Sequence, residues 1–370
     1  MAHQLDLAGT YSVGMPSSWT LAVARAELAR TTLAQGTAPE PADGEAVLRV
    51  ARVGMTANNV TYAVLGDDLR YWEFFPPEAQ GLGREWGLVP LWGFCEVTAS
   101  RAEGVEVGQR LYGYLPSAGH LLVRPAHAGA RGFRDASEHR AGLPSPYNRY
   151  ALTTGDAAYR AEDEDLLVLF RPLFLTSFLL ADQLVDNDYY GARSLLVSSA
   201  SSKTAYAAAF ELHGRGPALI GLTSPGNLEF TRSLGCYDDV VTYDEIGGLD
   251  ASRPTAYVDL SGASATRDAI RAHFGDSLVH DVAVGLTRQV NNLGDAAAFY
   301  FAPDQMRKRT IDWGRDVLDA RVTEAWRRFA AAAPAWVDVT VGHGPDALRS
   351  AWLETLAGRA SPRAGHVIAL

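Results

Sequence analysis

From about residue 166 onward, short apolar runs alternate with segments whose apolar positions recur at helical spacing. Runs at 195–199, 218–222, 240–243, 256–260 and 281–286 predict strands, and 173–185, 204–212, 227–234 and 265–273 predict helices. Strands that are apolar throughout and separated by helices belong in a parallel, doubly wound sheet, where both faces are covered. Residues 46–124 read differently. Strand patterns at 46–53 and 87–99, and a Gly-rich turn at 104–113 leading into another strand, suggest a small barrel-like β domain. Residues 125–165 carry Pro, Gly, Arg and acidic clusters with weak periodicity, which predicts a long loop or insertion. The tail from Val322 predicts a helix, a strand at 336–341, a helix at 345–356 and a last strand at 366–370.

The chain has 370 residues, 47% of them hydrophobic, enough for a sizeable core and about two domains. Its net charge of −10 argues against nucleic acid or an anionic membrane as partner. Cys95 and Cys236 are the only cysteines, too few for a disulfide framework, so a reducing cytoplasm is expected. The N-terminus shows no basic segment followed by a long apolar run. The most apolar stretch, 166–180, is interrupted by Arg171 and Pro172 and is expected to be too short to span a bilayer.

The apolar run 195–197 ends in Ser198, Ser199, Ala200, Ser201, Ser202, Lys203 and Thr204, and an Ala-rich helix pattern follows at once. Such a strand–turn–helix gathers backbone N–H groups at a helix N-terminus, where a pyrophosphate can sit. Serines and an alanine stand where glycines are usual, which keeps the turn small and adds hydroxyl donors. Lys203 is one of only two lysines in the chain, the other being Lys308, and its ammonium is expected on the phosphate. The bland alternative is an ordinary turn with a Ser N-cap. The second strand ends at Thr223, Ser224 and Asn227, with no carboxylate to accept from a ribose 2′-OH. A 2′-phosphate would be tolerated there, which favours NADP over NAD, with Lys203, Arg232 or a more distant residue supplying the positive charge. Ser261 and Gly262, after the strand 256–260, complete the candidate cofactor set.

No metal site is expected. The nine histidines show no close ligand spacing, and two cysteines cannot make a thiolate zinc site. Neither a Gly-x-Ser-x-Gly elbow nor a Gly-Lys-Ser/Thr phosphate loop occurs. In the β domain, Asn58 and Tyr62 lie four apart, so on a helical turn they share a face. They could present an amide and a phenol to a substrate carbonyl; alternatively Asn58 caps a turn and Tyr62 fills the core. Tyr71, Trp72, Phe74 and Phe75 form an aromatic cluster, core or substrate wall, and Tyr147 in the expected loop is a further donor. Residues 301–309 end in three cations, read as a solvated helix start or as an anion contact.

With these segments in hand, the chain resembles the medium-chain dehydrogenase/reductase superfamily, closest to its zinc-free quinone oxidoreductases and enoyl reductases. More narrowly it looks like a divergent member family of unknown function. The turn 54–58, the segment 104–113 and the series from the Ser-rich turn to Tyr243 carry the likeness. The resemblance implies an α/β fold: a GroES-like β-barrel domain (1–165 and 320–370) and a Rossmann doubly wound parallel-sheet domain (166–319). It also implies a role for Tyr243 near the adenosine 2′-phosphate and a substrate-side role for Asn58, with Tyr62 close to a tyrosine that some members use. The expected activity is NADPH-dependent hydride transfer, without zinc, to a carbonyl or a carbonyl-conjugated C=C of a small molecule, in the cleft between domains. A homodimer is expected as well. A non-catalytic NADP(H)-binding sensor or partner subunit, and a lyase or isomerase on the same fold, stand as alternatives.

Overall fold

The structure, a computed structural model, describes residues 17–284 and 298–370. The chain divides into two compact units. The first runs to Asp156 and takes in Thr340–Arg359 and His366–Leu370; the second comprises Ala157–Val339 and Ala360–Gly365. In chain order the elements are β1 (Ser17–Ala24), β2 (Glu27–Thr37), β3 (Ala46–Met55), α1 (Ala57–Val64), β4 (Trp86–Gly87), β5 (Leu91–Ser100), β6 (Arg110–Leu115), β7 (His120–Val123), β8 (Pro125–Gly129), β9 (Gly132–Asp135) and β10 (Arg149–Leu152). There follow α2 (Glu164–Asp186), β11 (Ser194–Val197), α3 (Lys203–Leu212), β12 (Ala218–Thr223), α4 (Leu228–Ser233), β13 (Asp239–Thr242), β14 (Thr255–Asp259), α5 (Ser264–Phe274), β15 (Leu278–Val284) and β16 (Ala298–Tyr300). The last are α6 (Ala302–Trp313), α7 (Arg315–Ala332), β17 (Asp338–His343), α8 (Gly344–Leu356) and β18 (Ala364–Ala369).

In the first unit the main sheet runs β17-β18-β3-β5-β6-β10-β9-β8, with β7 also paired to β3, and β1 lies between β2 and β4 in a smaller sheet. The core is filled by Leu48, Val50, Val53, Leu91, Cys95 and Leu111 from the central strands and by Leu348 and Trp352 of α8. Trp352 satisfies its indole by donating to the Leu28 carbonyl at 2.9 Å, so an aromatic from the returning tail is tied to the first hairpin.

The predicted loop at 125–165 is corrected here. It supplies three strands, β8, β9 and β10, which carry the sheet outward from β6. What holds them is a fully buried ion pair, Arg140 Nε to Asp135 at 3.2 Å with both side chains 1% exposed. Tyr150 adds a hydrogen bond from its hydroxyl to the Tyr114 carbonyl at 2.7 Å. Polar residues that look solvated in sequence here face each other.

The second unit carries a sheet of order β13-β12-β11-β14-β15-β16, parallel throughout. β11 and β14 are buried at every position, as expected of strands covered on both faces. The strand predicted at 281–286 is β15 as far as Val284; Gly285 and Leu286 lie outside the described residues.

α2 also departs from expectation. It begins at Glu164 and continues through Pro172, so Arg171 and Pro172 do not interrupt it. By length and composition it is the one helix among the described residues that could cross a membrane, with half of its most apolar window buried inside the fold. Its inner face, Phe170 and Phe174, packs on Phe329 of α7 with ring centroids 5.1 and 5.0 Å apart. That packing is why α7 joins the second unit, whereas the sequence placed 320–339 with the β domain.

Candidate functional site

In the second unit the turn between β11 and α3 forms the site's frame. Ser198 is fully buried and Ser199 adopts φ +50. A serine held in the left-handed region costs on the order of 1 kcal/mol that a glycine would not. The N–H of Ser199 donates to the Tyr243 hydroxyl at 2.9 Å, which pins the turn against the end of β13. Ala200 is fully buried, and a Cβ on Gly221 of β12 would come within 2.9 Å of its methyl. Small residues are therefore required on both sides of this contact. Ser202 caps α3, its Oγ accepting from the Ala205 N–H at 3.3 Å.

Three backbone N–H groups at this helix start, those of Ser201, Lys203 and Thr204, have no acceptor among the described residues. They are the orphan donors that every helix N-terminus presents, and the positive end of the helix dipole adds to them. Ser201 Oγ accepts from Asn227 Nδ2 at 3.2 Å, which joins the turn to the start of α4. At the end of β12, Thr223 is 1% exposed and its hydroxyl has no partner; Ser224 beside it is exposed. The Thr31, Tyr114 and Tyr206 hydroxyls are likewise buried without a partner; what sets Thr223 apart is its place, the strand end where a nucleotide ribose is read in folds of this kind. The donor set suits the diphosphate of a nucleotide.

The expected phosphate role of Lys203 is corrected by its geometry. Its Nζ donates to the carbonyls of Pro362 at 3.2 Å and Ala364 at 2.8 Å. Burial pulls its pKa down to about 8. The ammonium thus tethers the returning segment 362–364, and only the lysine backbone faces the turn. Arg232 donates one N–H to the Val240 carbonyl at 3.1 Å and is otherwise exposed, so the rest of its fork is left for an anion. The cations at 307–309 are engaged: Arg307 with Asp304, Lys308 with Asp186 and Asp312, Arg309 with Asp182, Asp186 and Asp312. The anion contact considered for that segment is replaced by ion pairs between α6 and α2.

Ser261 and Gly262 belong to a buried network that the sequence did not reveal. Asp259, fully buried at the end of β14, accepts from Ser198 Oγ at 3.0 Å, Ser261 N at 2.9 Å and Gly262 N at 3.0 Å. Arg267 of α5 pairs with its other oxygen at 2.5 Å. Burial raises the carboxyl's pKa, but the hydrogen bonds from Ser261, Gly262 and Ser198 and the Arg267 charge outweigh it and hold it below its usual value. The carboxylate ties the ends of two neighbouring strands together and fixes the turn 260–263.

In the first unit, Asn58 and Tyr62 share a face of α1 as their spacing predicts. Asn58 Nδ2 donates to the Tyr62 oxygen at 2.7 Å, and Trp92 Nε1 of β5 donates to the same oxygen at 3.0 Å. Two donors aimed at one phenol oxygen leave its own O–H directed elsewhere. Burial pushes the Tyr62 phenol well above its ordinary pKa, against the opposing pull of the Trp92 and Asn58 bonds. It therefore stays protonated, with its O–H still to be donated. Tyr147 lies edge-on to Tyr62 at 6.4 Å and shares a 3.3 Å hydroxyl contact with Tyr71. Burial raises both phenols too. Tyr114, Trp92 and Phe74 close the wall around Tyr147, with ring centroids 4.8, 5.9 and 5.3 Å from it. Trp72 points into the main core instead. The sequence missed Trp92 and Tyr114 because aromatics on apolar strands read as core.

Comparisons with known proteins bear on these sites. A family model described as "Protein of unknown function (DUF2855)" matches residues 53–361. No curated protein matches the chain in sequence. Among solved structures, CurA from Vibrio vulnificus in complex with NADPH is similar at 13% identity and TM-score 0.61, over 92% of this chain and 94% of that one. The quinone oxidoreductase from Coxiella burnetii is similar at 12% identity and TM-score 0.53, over 96% and 99%. The CurK enoyl reductase is similar at 12% identity and TM-score 0.53, over 95% and 99%. The chain shares the fold of these structures, a GroES-like β unit and a Rossmann unit with a parallel sheet.

Proposed function

The chain belongs to the DUF2855 family, and we propose that it is an NADPH-dependent oxidoreductase that works without zinc. Its substrate is a small molecule bearing a carbonyl or a carbonyl-conjugated C=C. The observation that carries this reading is the donor set of the second unit: the free amides of Ser201, Lys203 and Thr204, and the orphaned Thr223 hydroxyl at a strand end without a carboxylate. The NADPH bound to the Vibrio vulnificus neighbour supports the choice of cofactor.

NADPH, when bound, supplies a hydride. The chain's own part is to stabilise the negative charge that hydride addition places on the substrate oxygen. Tyr62 suits this role because Asn58 and Trp92 hold its oxygen while its O–H remains to donate. Two bonds to one atom fix the phenol before the substrate arrives, so little reorganisation is needed as charge develops. Asn58 acts through Tyr62, and Tyr147 supplies a ring of the wall and a second neutral hydroxyl. Among the described residues no group of three His, Cys, Asp or Glu gathers. Two free cysteines support a reducing cytoplasm, and the net charge of −10 supports a protein that leaves nucleic acid and anionic membranes alone. We place a homodimer in the same reading.

One observation favours the sensor alternative. Tyr243 already takes the Ser199 N–H, a donor that a glycine-rich turn would offer to phosphate. Fluorescence titration with NADPH and NADH, followed by turnover with enones, ketones and quinones, separates the readings. NADPH binding with turnover supports the reductase. Binding with no turnover on any of them favours the sensor, and product release without net NADPH consumption favours a lyase or isomerase. If neither nucleotide binds, the redox reading is lost.

A further inference from the structure

Away from the nucleotide turn, the second unit has a cavity of about 360 Å³, within the range of small-ligand sites. Its apolar side is Phe178, Ala181 and Val185 of α2. Glu211, near the end of α3, lines it from within. Eight residues of helix separate Glu211 from Lys203, about 12 Å along the axis, so the two sites are distinct.

Glu211 is 3% exposed. One carboxylate oxygen takes a hydrogen bond from Arg328 Nη2 at 3.0 Å, while the other, Oε1, is buried with no partner. Burial raises its pKa, and Arg328 and Arg215 offset this only in part. The remaining acids that line the cavity are satisfied: Asp182 by Arg309 at 2.6 Å and Glu324 by Arg328 at 3.5 Å. Two guanidinium groups are not. Arg215 and Arg321 line the cavity and are exposed, and neither has an acidic partner within ion-pair distance among the described residues. Arg321 is held over the Trp313 ring at 4.1 Å, which orders its fork without neutralising it.

The unfilled valences are therefore one buried carboxylate oxygen that wants a donor and two guanidinium forks that want an anion, beside an aliphatic and aromatic wall. We propose that this cavity binds a small carboxylic acid with a hydrogen-bond donor on the adjacent carbon and an apolar side chain, an α-amino or α-hydroxy acid of leucine size. The ligand carboxylate meets Arg215 and Arg321, matched to planar bidentate donors. The ammonium or hydroxyl donates to Glu211 Oε1, and the side chain lies on Phe178, Ala181 and Val185.

Calorimetric titration of the full chain with L-leucine, L-2-hydroxyisocaproate and isocaproate tests this. At least one of the first two binds, and isocaproate, which lacks the donor, binds about tenfold more weakly or worse. Leucine alone identifies an amino-acid site, and the hydroxy acid alone a hydroxy-acid site. The double variant R215A/R321A changes only exposed side chains. It loses about tenfold or more in affinity for the acid while its NADPH titration stays at the wild-type value and it unfolds in a single cooperative transition, at a midpoint lowered by no more than a few degrees. Three results each overturn the proposal: no binding of either acid, isocaproate binding as tightly as they do, or unchanged affinity in the double variant.

Discussion

Replacing Lys203 with Met keeps most of the side chain's volume and removes its ammonium. Two opposing quantities follow from the structure. The carbonyls of Pro362 and Ala364 lose their donor, at about 1–3 kcal/mol each for a buried acceptor left unpaired. Against that, burial has lowered the Lys203 pKa from 10.5 to about 8, and at about 1.4 kcal/mol per tenfold this is a charging cost of about 3 kcal/mol that Met does not carry. The sign with pH is fixed by linkage. Between the two values the unfolded chain holds the proton and the native state has released it, so wild-type stability rises with pH in that window. Below about pH 8 the full cost is present, and above about pH 10.5 it is gone. K203M should thus be roughly 1 kcal/mol less stable than wild type at about pH 7 and roughly 4 kcal/mol less stable at about pH 10.5. Urea unfolding followed by tryptophan fluorescence at stepped pH measures the gap. A gap that does not change with pH refutes the reasoning, and so does a K203M protein of unchanged stability that has lost more than about tenfold in NADPH affinity.

Three further outcomes are expected. Y62F should lower kcat by about a hundredfold with KM little changed, because only the O–H directed at the developing charge is lost; steady-state kinetics with the best substrate of the panel reads this. T223D should place a carboxylate at the end of β12 and turn nucleotide preference from NADPH towards NADH by about tenfold or more, seen in paired fluorescence titrations. D259N should cost about 1–3 kcal/mol in urea unfolding, since it removes the nearer of the two carboxylates that face the buried Arg267 guanidinium and leaves only Asp281, at 3.6 Å.

Legibility in the sequence followed how locally each feature is determined. β11 and β14 announce themselves because a strand buried on both faces needs apolar residues at every position, and Leu195, Leu196 and Val197 satisfy that within three residues. The Asn58–Tyr62 pair is visible for the same reason, being set by one turn of helix. The strands between 125 and 152 were not visible, because their burial depends on Arg140 meeting Asp135 and on Tyr150 reaching Tyr114. A buried ion pair and a solvated one look alike in a list of residue types.

Lys203 shows where the boundary lies. Its rarity and its place at the helix start correctly mark an ammonium that the fold uses, yet its partners lie 159 and 161 residues away. A side chain of that length can reach phosphate or backbone carbonyls with equal ease, and only the packing of 362–364 beside α3 decides between them. Glu211 is the same problem with the opposite sign. Late in an Ala-rich helix it reads as a solubilising residue, and its lone unpaired oxygen exists only because α2 and α7 cover it. Residues whose backbone sets their role could be assigned from sequence; those whose role is set by what a long charged side chain reaches could not. The functional assignment therefore rests on the turn's amides and the Thr223 hydroxyl, groups held by local geometry, and not on its cations.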